Sequence, residues 1–404
     1  MTASFIEICG GVTAPGGFVA GSAFCGIKAT NQDKHDLALI YSPVPTVGAA
    51  TFTTNKIKAA PVRVSMSHMR CGDIRAIIAN SGNANACTGV PGIEHAKRMA
   101  HATAAALEIR DPQVLVCSTG RIGVELPIEK MEETIAQLPK ALQKDGSLKA
   151  ARAIMTSDTF AKEIAVELTL DGKCVRIGGI AKGAGMIDPN MATMLCFITT
   201  DAAIGRKDLQ RALSNSVEQS FNRITIDGDM STNDTVIALA NGLAGNARLR
   251  RTHANFKQFQ TALNYITGEL ARKIVEDGEG VTKFVEIAIK GAATFQDARK
   301  AAEAIANSTL VKCAWFGGDP NWGRIMDALG YSTARIREES VDIFYEGLAA
   351  VKSGTASATP FEELEKIVRQ PKFTVTVNLH LGSAEYWVFT TDLSTRYVEL
   401  NMGE

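Results

Sequence analysis

Residues 178–202 read GGIAKGAGMIDPNMATMLCFITTDA. Four glycines fall in the first eight positions and surround a single lysine, Lys182. Asp188-Pro189-Asn190 is a turn signal. The apolar run after Ala192-Thr193 is predicted to be a buried strand. Upstream, residues 161–180 alternate as strands do, with a turn at Asp171-Gly172. A glycine-rich turn before a buried strand is, in the first instance, a structural device. The spacing excludes the usual phosphate loops: Gly-x-x-x-x-Gly-Lys-[Ser/Thr] is missing, and no helix N-terminus follows to receive an anion.

Outward from this stretch, strands and helices interleave. Residues 1–60 read as short strands between glycine and proline turns. The alanine-rich 92–108 predicts a helix. Segment 111–117 predicts a short buried strand ending in Ser118-Thr119-Gly120. Residues 127–143 predict an amphipathic helix around Met131, Ile135 and Leu138, ended or kinked by Pro139. Further helices are expected at 207–221, 257–275 and 297–307, and strands at 373–381, 386–393 and 396–401. No strict βαβ period, internal repeat or long linker occurs. The fold class is therefore α/β (layered α+β), with sheets sandwiched by helices in one body or two closely packed lobes.

Composition narrows the function. The 404 residues carry 43 basic and 43 acidic side chains, and 46% are hydrophobic. A balanced charge argues against nucleic acid, and the cluster Arg248, Arg250, Arg251 and His253 reads as solvated surface. Windows 8–27 and 37–55 are uncharged, but six glycines and Pro15 in the first, and Pro43 and Pro45 in the second, break a spanning helix. Both read as buried strands joined by turns. No signal or transit segment is expected at the N-terminus. Eight scattered cysteines without a Cys-x-x-Cys pair are expected mostly among apolar residues, in a reducing cytoplasm. Six dispersed histidines without His-Glu-x-x-His give no zinc motif, and no metal is expected.

Other glycine- and asparagine-rich loops lie at strand ends. CSTGRIG (117–123) turns backbone N–H groups outward, and two such groups can hold an oxyanion. Asn80-Ser81-Gly82-Asn83-Ala84-Asn85-Ala86 is an asparagine-stabilised turn. DGDMSTNDT (227–235), EDGEGVTK (276–283) and GGDPNWGR (317–324) are polar, without EF-hand spacing.

KGAGMIDPNMATMLCFITTDA resembles the self-cleavage region of the ornithine acetyltransferase (glutamate N-acetyltransferase) family. FTTNKIKAAPV at 52–62, NSGNANACTG at 80–89, STGRIG at 118–123, AIMTSDT at 153–159 and the three polar loops fit the same family, in order. The resemblance implies a self-cleaving N-terminal-threonine nucleophile enzyme. The precursor would cut itself between Ala192 and Thr193. Residues 1–192 would form an α chain and residues 193–404 a β chain. A threonine hydroxyl needs an adjacent base. Inside a chain the Thr193 nitrogen is an amide. After cleavage it is an amine of reference pKa ~7.7–8.0, suited to proton transfer near neutrality.

The implied reaction is ping-pong transfer of acetyl from N-acetylornithine to glutamate in arginine biosynthesis, through acetyl-Thr193. Acetyl-CoA is a possible co-substrate, and no cofactor is implied. Thr119 and Gly120 would form the oxyanion hole. Thr156, Lys182, Thr193, Glu279 and Asn401 match substrate-contacting positions. By sign of charge, Lys182 would pair with the substrate carboxylate and Glu279 with the δ-ammonium of ornithine. Two α and two β chains would associate. Family members usually run several residues past the position of Asn401 to a serine or threonine that reaches the site, and that contact is expected to be absent or replaced here. A related self-cleaving aminopeptidase or amidase, with water as acceptor, is the alternative.

Overall fold

The structure, a computed structural model, describes residues 5–28, 33–188, 194–252 and 254–402. By packing, the chain divides into two units. The first comprises Met1–Gly183, Asn190–Asn222 and Met230–Ile274; the second comprises Ala184–Pro189, Arg223–Asp229 and Val275–Glu404. The first unit thus takes residues from both sides of the Ala192–Thr193 bond.

In chain order the first unit holds β1 (Phe5–Ile8), β2 (Val19–Ala23), β3 (Leu37–Phe52), α1 (Ala60–His68), β4 (Asp73–Asn83), α2 (Gly89–Leu107), β5 (Val114–Arg121), α3 (Ile128–Gln137) and α4 (Ser147–Ala153). It continues with β6 (Lys162–Leu170), β7 (Lys173–Lys182), β8 (Leu195–Thr200), α5 (Arg206–Glu218) and β9 (Thr235–Ala240), then α6 (Phe256–Glu276). Its nine strands form one sheet, β1-β6-β7-β8-β9-β3-β4-β5, with β2 also on β3. The pairs β4/β5 and β8/β9 are parallel and the rest antiparallel.

Alternate side chains of the central strands enter opposite cores. Leu37, Ala76, Ile78, Val114 and Val116 pack with Met99 of α2 and Met131 and Ile135 of α3. Their neighbours Ala38, Ile77, Ala79, Leu115 and Cys117 pack with Ala150 and Ala151 of α4. The two-residue period of a strand, buried on both faces, explains the near-continuous apolar runs here. The expected layered architecture is what these residues build.

Two local readings are corrected in this unit. The window 37–55 is not two strands joined by a turn but one sixteen-residue strand, β3. Pro43 and Pro45 sit where its pairing with β4 slips, between Tyr41↔Ala76 and Thr46↔Ile74. Proline has no N–H for a ladder, so a bulge accommodates it. Beyond that point, from Val47 to Phe52, β3 pairs with β9. Cysteines are also less buried than expected: only Cys25, Cys117 and Cys196 are buried, and all eight are free thiols. Pro139 ends α3 as foreseen, leaving a 3-10 turn at Leu138–Ala141.

The second unit holds β10 (Phe284–Ala292), α7 (Phe295–Ala306), α8 (Thr309–Gly317), α9 (Trp322–Tyr331), β11 (Asp342–Tyr345), β12 (Leu348–Lys352) and β13 (Thr355–Ala356). It ends with α10 (Phe361–Val368), β14 (Lys372–Asn378), β15 (Ala384–Thr391) and α11 (Thr395–Leu400). Its sheet runs β13-β12-β11-β14-β10-β15, with β10/β14 parallel. Val285, Ile287 and Ile289 of β10 face Ala298, Ala301, Ala302 and Ile305 of α7, the three- and four-residue spacing of an amphipathic helix. Thr294 caps α7 by accepting the Asp297 amide at 3.2 Å, a contact worth about 1 kcal/mol.

Segment 396–401 is not a strand but lies in α11 and the turn that follows. Ser394 accepts the Tyr397 amide as an N-cap, and Arg396 pairs with Glu399 at 3.0 Å. Six residues are too few for alternation to separate strand from helix. Helices α1, α4, α8, α9 and α10 were not foreseen. Ser308 and Asn321 cap α8 and α9, and these residues were the available signal. Among the described residues no helix is long and apolar enough to cross a membrane.

Candidate active site

The parallel strands β4 and β5 end side by side, with Ser81 opposite Thr119 and Gly82 opposite Gly120. Gly120 has φ +130°, and a Cβ there would lie 2.4 Å from the Gly82 carbonyl carbon. Only glycine allows so close an approach with that backbone. Buried asparagines hold the turn from behind. Asn80 accepts the Ser118 hydroxyl at 2.6 Å, and Asn233 donates to the Ser118 carbonyl at 2.8 Å and the Ala84 carbonyl at 2.7 Å. Asn83 donates to the Val124 and Glu125 carbonyls and accepts the Asn85 amide. Thr119 thus stands on a segment fixed on both sides.

Lys182, the last residue of β7, is 2% exposed. Its Nζ donates to Thr156 Oγ1 at 2.7 Å and to Thr119 Oγ1 at 3.4 Å. An ammonium only donates, so each threonine accepts and its own hydroxyl hydrogen stays available to another acceptor. Asp158 lies beneath. Its Oδ1 takes Lys162 Nζ and the Gly183 amide, both at 2.8 Å, and its Oδ2 takes the Thr156 amide at 3.0 Å. Lys182 is 3.7 Å from Oδ2. Burial pushes the Asp158 carboxyl up, but the Lys182 and Lys162 charges and the N–H donors outweigh it and hold the group well below the usual carboxylate range.

Ala192 and Thr193 lie outside the described residues. The chain resumes at Met194, whose amide donates to Asp234 Oδ1 at 3.0 Å and whose carbonyl accepts the Thr235 amide. Asp234 is fully buried, and its Oδ2 has no hydrogen-bond partner among the described residues. Burial drives its carboxyl well above the ordinary range, against the pull of the Met194 amide and the Lys182 charge.

In the second unit, the Glu279 amide donates to the Ala184 carbonyl at 2.8 Å. Its carboxylate accepts from Asn401 Nδ2 at 2.9 Å, and a Cβ on Gly185 would sit 2.6 Å from that carboxylate. Asp227 accepts the Met186 and Ile187 amides at 2.6 and 2.8 Å and the Tyr397 hydroxyl at 3.2 Å. Asp392 accepts the Thr282 and Lys283 amides, bracing the loop that carries Glu279. Burial, with Glu303, Asp227 and Asp229 nearby, pushes Asp188 up to about 7 against the Asn307 contact.

Of the residues read from the sequence, Thr119, Thr156 and Lys182 therefore meet in the first unit, with Gly120 beside them. Glu279 and Asn401 meet in the second. The sequence reading missed Asp158, Lys162, Asn233 and Asp234. Asp158 stands inside AIMTSDT and the last two inside DGDMSTNDT, so their motifs had been noted without a role. Among the described residues no group of three or more His, Cys, Asp or Glu could hold a metal ion.

The chain matches the model of the ArgJ family over residues 19–403. It is 47% identical over 394 residues to the arginine biosynthesis bifunctional protein ArgJ of Symbiobacterium thermophilum, covering 98% of each chain. It is also 47% identical to the glutamate N-acetyltransferase of Methanocaldococcus jannaschii, again covering 98% of each. A crystal structure of the arginine biosynthesis bifunctional protein ArgJ of Bacillus halodurans aligns at 40% identity with a TM-score of 0.50. The alignment takes in 52% of this chain and 98% of that one.

Proposed function

Because this chain belongs to the ArgJ family, we propose that it transfers acetyl from N2-acetylornithine to glutamate in arginine biosynthesis, with Thr193 as nucleophile. The observation that carries this reading is the junction of Thr119, Thr156 and Lys182. Two threonines distant in sequence converge on one buried ammonium, that of Lys182. That junction leaves the Thr119 hydrogen free to meet an oxyanion, beside the Gly120 backbone.

The precursor cuts itself between Ala192 and Thr193 and frees the Thr193 amine as a base. The Thr193 hydroxyl attacks the acetyl carbonyl, and ornithine leaves with a proton. The amine of glutamate then attacks the acetyl-Thr193 ester, releasing N-acetylglutamate and restoring the hydroxyl. Lys182 takes the substrate α-carboxylate, and Glu279, steadied by Asn401, takes the δ-ammonium of ornithine. Acetyl-CoA enters as an alternative donor to the same hydroxyl. The α and β chains associate as two of each. The residues from 193 to 404 number 212, and the solved ArgJ chain from B. halodurans, spanning 52% of this one, is of matching extent, which supports separate chains. We assign the reaction to the cytoplasm, whose reducing state suits eight free thiols.

The test is intact mass under denaturing conditions, with N-terminal sequencing. Two species, one beginning at Thr193, are expected from the wild type and one uncut chain from Thr193→Ala. Product analysis with N-acetylornithine then separates the acceptors. Acetate released without glutamate would make the protein an amidase and end the transferase reading.

A further inference from the structure

The buried cluster around Lys182 holds more charge than binding one carboxylate needs. Asp158, Lys162 and Lys182 are all essentially removed from solvent, with side chains 0%, 0% and 2% exposed. The two lysines share Asp158 unequally. Lys162, four residues on and at the start of β6, contacts Oδ1 at 2.8 Å, whereas Lys182 stands off Oδ2 at 3.7 Å and bonds instead to the hydroxyl of Thr156. The Thr156 and Gly183 amides, also on Asp158, lock the carboxylate in that pose. The fields of Lys34, which donates to the Met155 carbonyl, and of Asp234 also reach the cluster.

We infer that Lys162 and Asp158 are positioning residues that hold the Lys182 ammonium charged but only partly neutralised, for the α-carboxylate of an amino-acid substrate. A single carboxylate facing Lys182 alone would close to a direct contact and cancel the charge that substrate needs. Lys162 occupies that carboxylate permanently. Asp158 in turn offsets the cost of burying two ammonium groups side by side. The trio carries one net positive charge, matched to one incoming carboxylate. The inference rests on Lys182 being the carboxylate contact.

A charge-balanced cycle tests it. KM and kcat for glutamate and N-acetylornithine are measured on self-processed wild type, Lys162→Met, Asp158→Asn, the double variant and Lys182→Met. Lys162→Met leaves Lys182 to pair directly with Asp158, so KM rises at least about tenfold while kcat changes less. The double variant restores one net positive charge on Lys182 and returns KM to within about threefold of wild type. A KM unchanged in Lys162→Met overturns the inference. So does a rise that the double variant does not relieve, because a packing defect has no reason to be cured by removing Asp158. Should Lys162→Met fail to fold, Asp158→Asn against the double variant decides: a lower KM in the double variant supports the inference, and an equal one overturns it. A wild type without transfer activity, or an unchanged KM in Lys182→Met, instead brings down the reading of the site itself.

Discussion

Asp234 Oδ1 accepts the amide of Met194 at 3.0 Å, and Met194 directly follows Thr193 in the chain. A buried carboxyl pushed toward its protonated form therefore sits one peptide from the proposed scissile bond. In the proposed self-cleavage, the Thr193 hydroxyl takes the Ala192 acyl group, the departing amine needs a proton, and an acid at Asp234 would supply it. Asp234→Asn keeps an acceptor for Met194 but no acid. We expect folded protein whose processing, followed by gel over time, slows by about tenfold or more. Asp234→Ala also strands the Met194 amide and should cost an additional 1–3 kcal/mol or so in urea unfolding. Processing at the wild-type rate in both would remove Asp234 from the mechanism.

Gly120→Ala should lose activity and stability together. The added methyl meets the Gly82 backbone at 2.4 Å, and φ of +130° is costly for any side chain. A loss of roughly 2–4 kcal/mol is expected. Gly268→Ala is the contrast: it lies inside α6 with open space around its Cβ, and it should gain about 0.5–1 kcal/mol. Thermal melts of the two variants should move in opposite directions.

Glu279→Gln should separate donor from acceptor. Removing the negative charge withdraws the proposed partner of the ornithine ammonium and would relieve repulsion of the glutamate side chain. KM for N-acetylornithine is expected to rise by about tenfold while KM for glutamate stays level or falls. Equal changes for both substrates would deny Glu279 a role in telling them apart.

Lys312, fully buried on α8, donates to Thr390 Oγ1 at 2.8 Å and to the Thr391 carbonyl at 2.6 Å. Burial pushes it down to about 7, against the pull of Asp392 and Asp227. Its unfolded value is ~10.4. Between those values the unfolded chain holds a proton that the folded one lacks, so this group adds stability as pH rises from about 7 to about 10. Relative to Lys312→Met, wild type should gain roughly 2–4 kcal/mol between pH 7 and 9.5 in urea unfolding. A constant difference between the two proteins would show that Lys312 does not titrate there.

Family motifs made Thr119, Gly120, Thr156 and Lys182 legible, whereas glycine spacing and turn residues alone favoured a structural reading of the stretches that carry them. The charged support beneath them was hidden. Lys162 opens the alternating segment KEIAVELTL in phase with Ile164, Val166 and Leu168, and it is fully buried with them, a charge on the apolar face. Its partner Asp158 belongs to the preceding loop, and Lys182, which approaches Asp158 at 3.7 Å, ends β7. Sequence periodicity reports which face a residue takes, not which partner meets it there. Similarly, the prolines of β3 announced a break in pairing but not that the strand would continue past it to a new neighbour. The long helices were found because their apolar period persists for several turns, and α11 was misread because it lasts fewer than two.

The order of strands in the first unit has a consequence for the life of the protein after the proposed cleavage. β8 and β9 come from beyond Thr193, yet they lie between β7 and β3, which come from before it. Six residue pairs join β7 to β8, and six more join β3 to β9. Cutting the 192–193 bond therefore removes the covalent thread without opening the sheet. With the proposed cut, unfolding would change its molecularity: the uncut chain refolds as one molecule, but a cut one must find its other half. Diluted denaturant should restore the Thr193→Ala precursor at any concentration. The processed enzyme should recover only as its two chains are concentrated, so that maturation makes the fold a commitment entered once.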